Sequence, residues 1–312
     1  MILKATVIKG IGGLYTVRFD EEYNGKKEAE VRARGAFRHD GNVLLPGDRV
    51  DIEVISENEF FCKKILERKN SLIRPPLANL DYLFIAVPCK KPDPVLETVD
   101  KMISIAEYNS IEPVIVVTKS DLENEAADEI YGIYKKSGFD TFVLSSKNGE
   151  GVDELYGYIK KIASDKDVIC AFCGASGAGK STLINTLFPT LSLETGDLSK
   201  KIERGKNTTR CIELFPFEKI LSPEIKGYLA DTPGFSLIDF ERFDFFPLDA
   251  LAETFREFRE SIGKCRYTGC THLKEEGCDI IRRVKDGEIP KSRHDSYVSM
   301  YEILKEKKPW KK

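Results

Sequence analysis

Apolar and polar positions change rhythm twice along this chain of 312 residues. At the start, short apolar stretches are broken by glycine turns. Ala5–Ile8 and Leu14–Phe19 flank Gly10, Gly12 and Gly13, Glu28–Ala33 alternates, and Pro46-Gly47-Asp48 leads into Arg49–Ile55. Five or so short strands in about 70 residues predict a small barrel, most commonly a five-stranded OB-fold. An SH3-like barrel or a β-extension of the next domain would read similarly.

From Asp81 the rhythm becomes one of buried runs alternating with amphipathic stretches. The runs are Tyr82–Val87, Val114–Val117, Thr141–Leu144 and Val168–Cys173. Between them, Val95–Asn109, Glu123–Ser137 and Val152–Ser164 carry apolar residues at three- and four-residue spacing. This alternation predicts a parallel, doubly wound α/β sheet. Beyond about Phe245 come helices, a Cys-rich loop and a Lys-rich tail. The expected domains are therefore a barrel over 1–70, an α/β domain over 71–245 and a helical domain over 246–312. No apolar run approaches the ~18–20 residues of a membrane span, and the N-terminus lacks a secretory core. The reading is cytoplasmic, with no membrane partner.

Composition narrows the function further. With 48 Lys and Arg against 51 Asp and Glu, the net charge is −3. That excludes a wholesale polycation, so nucleic-acid contacts must come from local patches. Eight cysteines in a chain this long do not make a disulfide scaffold; metal or buried-thiol roles fit a reducing compartment better.

The chemistry concentrates in short motifs. Gly174-Ala175-Ser176-Gly177-Ala178-Gly179-Lys180-Ser181 fits G-x-x-x-x-G-K-[ST], after one predicted strand and opening the predicted helix Ser181–Phe188. In that setting backbone N–H groups wrap phosphates, Lys180 reaches the β- and γ-phosphates, and the Ser181 hydroxyl ligates Mg²⁺, with Thr182 beside it. Asp231-Thr232-Pro233-Gly234 follows the apolar strand Gly227–Ala230. Alone it is a plain turn. Downstream of a phosphate loop, Asp231 takes the position that holds Mg²⁺ through water, and Gly234 offers an N–H to the γ-phosphate.

Thr118-Lys119-Ser120-Asp121 and Ser145-Ser146-Lys147 end two further strands and resemble the guanine-reading N-K-x-D and S-A-K elements of GTPases. A carboxylate can accept from the guanine N1–H and exocyclic amine, a donor pair that adenine lacks. The Lys119 stem can lie across the base, and a backbone N–H near Ser146 can meet O6. Thr118 stands where Asn is usual, so a hydroxyl must replace the bracing amide. A helix N-cap is the bland reading of the same four residues. Between the phosphate loop and Asp231, Gly205-Lys206-Asn207-Thr208-Thr209-Arg210 is the expected switch I, with Thr208 and Thr209 both candidates to close over Mg²⁺. A Ser/Thr loop that binds nothing is the alternative.

Cys265, Cys270, His272 and Cys278 form a Cys₃His set on a short polar loop. Such a set closes a tetrahedral Zn²⁺ shell with no open position, which is a structural site. Cys62, Cys89, Cys170, Cys173 and Cys211 lie in or beside apolar strands and read as packing residues. His39 and His294 read as solvated. Arg282-Arg283 and Lys291–Arg293 read either as phosphate contacts or as an exposed helix face, and the tail Lys305–Lys312 as a disordered end with an RNA-favouring charge.

The order of the motifs is unusual: the base-reading pair precedes the phosphate loop, as in a circularly permuted GTPase. Together with Pro46-Gly47-Asp48-Arg49-Val50, Arg68-Lys69-Asn70-Ser71-Leu72-Ile73-Arg74-Pro75 and the cysteine spacing, the chain resembles the RsgA/YjeQ/YloQ-type circularly permuted GTPases that depend on the small ribosomal subunit. The resemblance implies an OB barrel, a permuted GTPase domain and a zinc-bearing helical domain. It also implies a Mg²⁺-dependent GTP hydrolase acting in late 30S maturation, a monomer contacting the subunit and its 16S rRNA and stimulated by it. Asn207 departs from a histidine common there, and Phe235 replaces the water-orienting Gln of Ras-like proteins. Two rivals remain: a GTP-dependent regulatory switch with a non-ribosomal protein partner, and a P-loop ATPase or kinase, which Asp121 opposes.

Overall fold

The structure is a computed structural model and describes residues 1–11, 13–33, 43–191, 212–231 and 242–307. Thr208, Thr209, Cys211, Gly234, Phe235, His39 and the last five residues lie outside that set. Packing groups the chain into two compact units. One holds Met1–Tyr82, Tyr158–Phe172 and Phe188–Phe235; the other holds Leu83–Gly157, Cys173–Leu187 and Ser236–Lys312.

In the first unit, five strands close a barrel: β1 (Ile2–Ile11), β2 (Leu14–Tyr23), β3 (Lys26–Ala33), β4 (Arg49–Ser56) and β5 (Glu59–Ile65). Their order is β1-β2-β3-β5-β4, and β4 returns to β1 through Ala5↔Val50. The β3–β5 pair is parallel and the others are antiparallel. This is the OB-type solution. Ala5 and Val7, Val17 and Phe19, Val50 and Ile52, and Phe60 and Cys62 fall on alternate positions and fill the barrel, as period-two side-chain geometry requires.

The two motifs flanking the barrel meet in a joint. Arg68 forks onto the fully buried Asp48 carboxylate at 2.6 and 2.8 Å. Asn79 donates to the Gly47 carbonyl at 2.9 Å and accepts from the Lys69 N–H at 2.9 Å. Gly47 has φ +89°, and a Cβ there would stand 2.0 Å from the Ala78 carbonyl oxygen. Only glycine fits. Two short strands, β6 (Ser71–Leu72) and β7 (Leu77–Ala78), pair within this joint.

The next strand, β8 (Tyr82–Pro88), starts at the unit boundary. In the second unit it neighbours β9 (Glu112–Thr118), which pairs in parallel with β10 (Thr141–Val143). The connecting helices are α1 (Leu96–Tyr108), α2 (Asn124–Lys136) and, across the boundary, α3 (Val152–Asp165). β11 (Val168–Gly174) then leads into α4 (Lys180–Leu187). Back in the first unit, β12 (Glu213–Pro216), the one-turn helix α5 (Phe217–Ile220) and β13 (Gly227–Asp231) follow. β13 runs parallel to β11 and antiparallel to β12. β12 also pairs with barrel strand β1 at Lys9↔Glu213. Arg18, buried on the barrel's outer face, bridges Glu28 (2.5 Å) and Glu218 of α5.

The C-terminal segment is less helical than its pattern suggests. Three short 3-10 turns over 248–258 precede the Cys/His loop, and among the described residues of this segment only α6 (Asp279–Lys285) and α7 (Lys291–Glu306) are α-helices. Among the described residues no helix is long and apolar enough to cross a membrane.

Candidate functional site

The phosphate loop grows out of a fully buried strand. All seven residues of β11 are buried, so the turn after it starts from a rigid base. Gly174 has φ +137°, and a Cβ would lie 2.3 Å from the Ala86 carbonyl oxygen on β8. Ala178 N–H bonds back to the Ala175 carbonyl at 3.1 Å, closing the loop. Ser176 and Gly177 are exposed, Ala178 is buried, and Lys180, Ser181 and Thr182 open α4 with Thr182 outward. The Lys180 ammonium folds onto the loop itself, donating to the carbonyls of Gly174 (2.8 Å) and Ala175 (3.1 Å). Burial lowers its pKa, and an anionic phosphate in the loop would compensate that loss of solvation.

The two segments expected to read the base, Thr118–Asp121 and Ser145–Lys147, come together beside this loop. Ser120 N–H bonds to the Leu144 carbonyl at 3.2 Å, joining them through the backbone. Ser145 Oγ donates to Asp121 Oδ1 at 2.7 Å, and Lys147 Nζ stands 3.8 Å from Oδ2. The Asp121 carboxylate is thus oriented while keeping acceptor capacity for a base. Ser146 is half-buried. Lys119 and Glu123, which precede the 3-10 turn Ser120–Leu122 and α2, make no side-chain cap bonds. Thr118 links the two loops. Its buried hydroxyl donates to the Ala178 carbonyl of the phosphate loop at 2.7 Å.

The segment Cys89–Lys91, of which the sequence singled out only Cys89 and as a packing residue, also holds these loops. Cys89 donates through its N–H to the Thr118 carbonyl (3.0 Å) and through its thiol to the Lys119 carbonyl (2.9 Å). Lys90 pairs with Glu123 at 2.5 Å, and the Lys119 ammonium donates to the Lys91 carbonyl. Lys119 itself is left-handed, with φ +62°. In the other unit, Asp231 ends β13 opposite Glu213. Burial, and then the Glu213 charge, raise its carboxyl pKa. A cation nearby would reverse that shift.

The Cys₃His set forms a cage. The four donor atoms all lie within 4.8 Å of one another. Tetrahedral coordination with metal–sulfur bonds of about 2.3 Å and metal–nitrogen bonds of about 2.0 Å separates sulfur from sulfur by about 3.8 Å and sulfur from nitrogen by about 3.5 Å. Cys265 and Cys278 sulfurs are 3.8 Å apart, and His272 Nδ1 lies 3.6 and 3.5 Å from them. The cage therefore fits a metal ion. Burial pushes the Cys270 thiol up to about 12, raises that of Cys278 and lowers the pKa of His272. A cation would favour the thiolates that burial disfavours.

Two sequence expectations need correction. His294 is not merely solvated: it is half-buried beside the cage, and its Nε2–H donates to the His272 carbonyl at 2.8 Å. Arg293 is neither a phosphate contact nor an exposed residue. It is fully buried, bonded to Asp100 of α1 (2.6 Å) and Glu257 (2.7 Å) and lying over the Phe255 ring. Burial works against its charge and the two carboxylates outweigh it, raising its pKa. Arg283 is likewise engaged, with Glu288 at 2.8 Å, whereas Arg282 is an exposed helix-face residue paired with Asp279 and Asp286. Arg256 makes a second clamp, to Glu107 (2.5 Å) and Glu112 (2.8 Å). These contacts join α1 and β9 to the C-terminal segment. Cys62, Cys89, Cys170 and Cys173 are buried.

Comparison with known proteins adds an independent line. Residues 65–241 match the RsgA GTPase family and residues 4–61 the RsgA N-terminal domain. The small ribosomal subunit biogenesis GTPase RsgA of Caldanaerobacter subterraneus is 37% identical over 306 residues, 98% of this chain and 97% of that protein. Its counterpart in Clostridium botulinum is 36% identical over 311 residues, 99% of this chain and all of that one. Among solved structures, YjeQ from Thermotoga maritima superimposes with a TM-score of 0.80 at 28% identity, covering 99% of this chain and 100% of its own. YloQ, described as a circularly permuted GTPase, gives 0.75 at 31% identity, with 99% and 97% covered.

Proposed function

This chain belongs to the RsgA GTPase family, and on that footing we propose that it hydrolyses GTP while bound to the small ribosomal subunit, late in that subunit's maturation. The observation that carries this reading is the Thr118–Ala178 hydrogen bond, which fastens a guanine-reading loop to a phosphate loop. Asp121, aligned by Ser145, accepts from the guanine N1–H and amine. Lys119 covers the base, and the half-buried Ser146 supports a backbone donor to O6. The backbone of Gly174–Gly179 surrounds the phosphates, and Lys180 leaves its carbonyl partners to meet the β- and γ-oxygens.

Ser181 and Asp231 would hold Mg²⁺, which neutralises charge developing on the transferred phosphoryl group. Thr208 or Thr209 and Gly234 complete the nucleotide contacts as the two switches. Domain ranges 1–70, 71–245 and 246–312 serve as barrel, GTPase and metal-bearing domains. The cage holds one Zn²⁺ per chain, supported by the donor set and its separations. The protein acts as a cytoplasmic monomer whose contacts include 16S rRNA.

The test is GTP turnover with and without purified small subunits. Strong stimulation is expected, and it should fall as salt screens the rRNA contacts. Turnover indifferent to the subunit would instead favour a switch with a protein partner.

A further inference from the structure

The cage is mounted on a loop with no regular structure: from Cys270 to Cys278 the backbone is neither helix nor strand. His272 sits at φ +62°, a conformation uncommon for a residue with a Cβ. Something else must hold it. One side is held by α7, where Tyr297 Oη–H donates to the Thr271 carbonyl (2.9 Å) and His294 to the His272 carbonyl (2.8 Å). On the other side a single carboxylate collects the loop's donors. Glu275 accepts from Thr271 N–H (2.8 Å) and its hydroxyl through Oε1, and from Leu273 N–H (3.0 Å) and Lys274 N–H (3.1 Å) through Oε2. Burial alone would raise the Glu275 carboxyl, but these bonds bring it down to about 2.

Glu275 is not among the converging donor atoms, which come from Cys265, Cys270, His272 and Cys278. We propose that Glu275 is the positioning residue of the metal cage, fixing the backbone of residues 271–274 so that His272 stands in the donor set before a metal arrives. The proposal rests on reading the cage as a metal site. Its physical basis is preorganisation: without Glu275, the metal must itself order four residues and impose the His272 conformation, and affinity falls by that amount. Partners behind metal ligands typically change affinity about 10–100-fold.

The experiment titrates Co²⁺ into the full-length protein, purified metal-free, against a chromophoric chelator. It reads thiolate–cobalt absorbance for occupancy and circular dichroism for the fold. Wild type should bind one equivalent and Cys270→Ser should lose it; a wild type that binds none would sink the metal reading itself. Given binding by wild type, Glu275→Ala should weaken Co²⁺ about 10–100-fold. Glu275→Gln, which keeps an acceptor oxygen but no charge, should lose less than Glu275→Ala. Wild-type affinity in either variant, even with lowered thermal stability, would overturn the proposal. Equal losses in the two would also overturn it, since they would assign the effect to charge. Should Glu275→Ala fail to fold, Glu275→Gln decides: weaker Co²⁺ binding that persists at high salt, where charge is screened, supports the proposal, and wild-type affinity or a loss abolished by salt overturns it.

Discussion

The phosphate loop and the Cys/His cage solve one problem in opposite ways. Each bends backbone through left-handed conformations so that polar groups converge on a point. The phosphate loop does so between a buried strand and a helix, with Gly174 and Gly179 taking positive φ. The cage is held instead by Glu275, Tyr297 and His294 through hydrogen bonds to its loop. The difference teaches where folding energy comes from. Buried apolar surface stabilises the first before any ligand arrives, whereas the second relies on hydrogen bonds, and a metal bound there would add its coordination energy to the fold.

The strongest way to break the comparison is Lys180→Ala. We expect GTP turnover to disappear, because phosphate charge goes uncompensated, while circular dichroism remains that of wild type. A global loss of fold would show that the loop is less autonomous than its walls suggest. Next in size is chelation of the metal. Amide exchange should accelerate across residues 265–278 while GDP binding persists, and loss of GDP binding would mean that the cage supports the nucleotide site.

Arg293→Ala probes the layer beneath. Removing one partner of a buried ion pair should cost about 3–5 kcal/mol, measured by denaturant unfolding, because Asp100 and Glu257 lose their cation. A change under about 1 kcal/mol would mean the pair is dispensable. Smallest is Thr118→Val. It keeps the shape and removes the hydroxyl, leaving the Ala178 carbonyl without its donor, so GDP affinity should fall about tenfold, as for a buried hydrogen bond worth about 1–2 kcal/mol. An unchanged affinity would remove the link between base and phosphate loops.

What was legible in the sequence was local. The phosphate loop, the Thr118–Asp121 and Ser145–Lys147 segments and the Cys₃His set are each contiguous or nearly so, and their residue types carry their chemistry. The barrel was legible for the same reason, through period-two alternation and glycine turns. Arg293 was not, because its partner Asp100 lies 193 positions away, and a lone arginine in a charged helix looks solvated. Glu275 was hidden differently: it sits inside the cage loop, but its four donors are mostly backbone N–H groups, which have no residue type. The 3-10 turns of residues 248–258 misled because their apolar residues recur at nearly helical spacing.

The pairing of β1 with β12 carries a consequence for anyone dissecting the protein. The barrel is no bead on a tether: its first strand meets the edge of β12 at the pair Lys9↔Glu213, and Arg18 satisfies Glu218. Trimming residues 1–70 would uncover a strand edge with unpaired N–H and C=O groups, the template on which chains self-associate. It would also strand an acidic side chain. Clumping by such a shortened protein would report a raw edge, and would say nothing of what the barrel recognises.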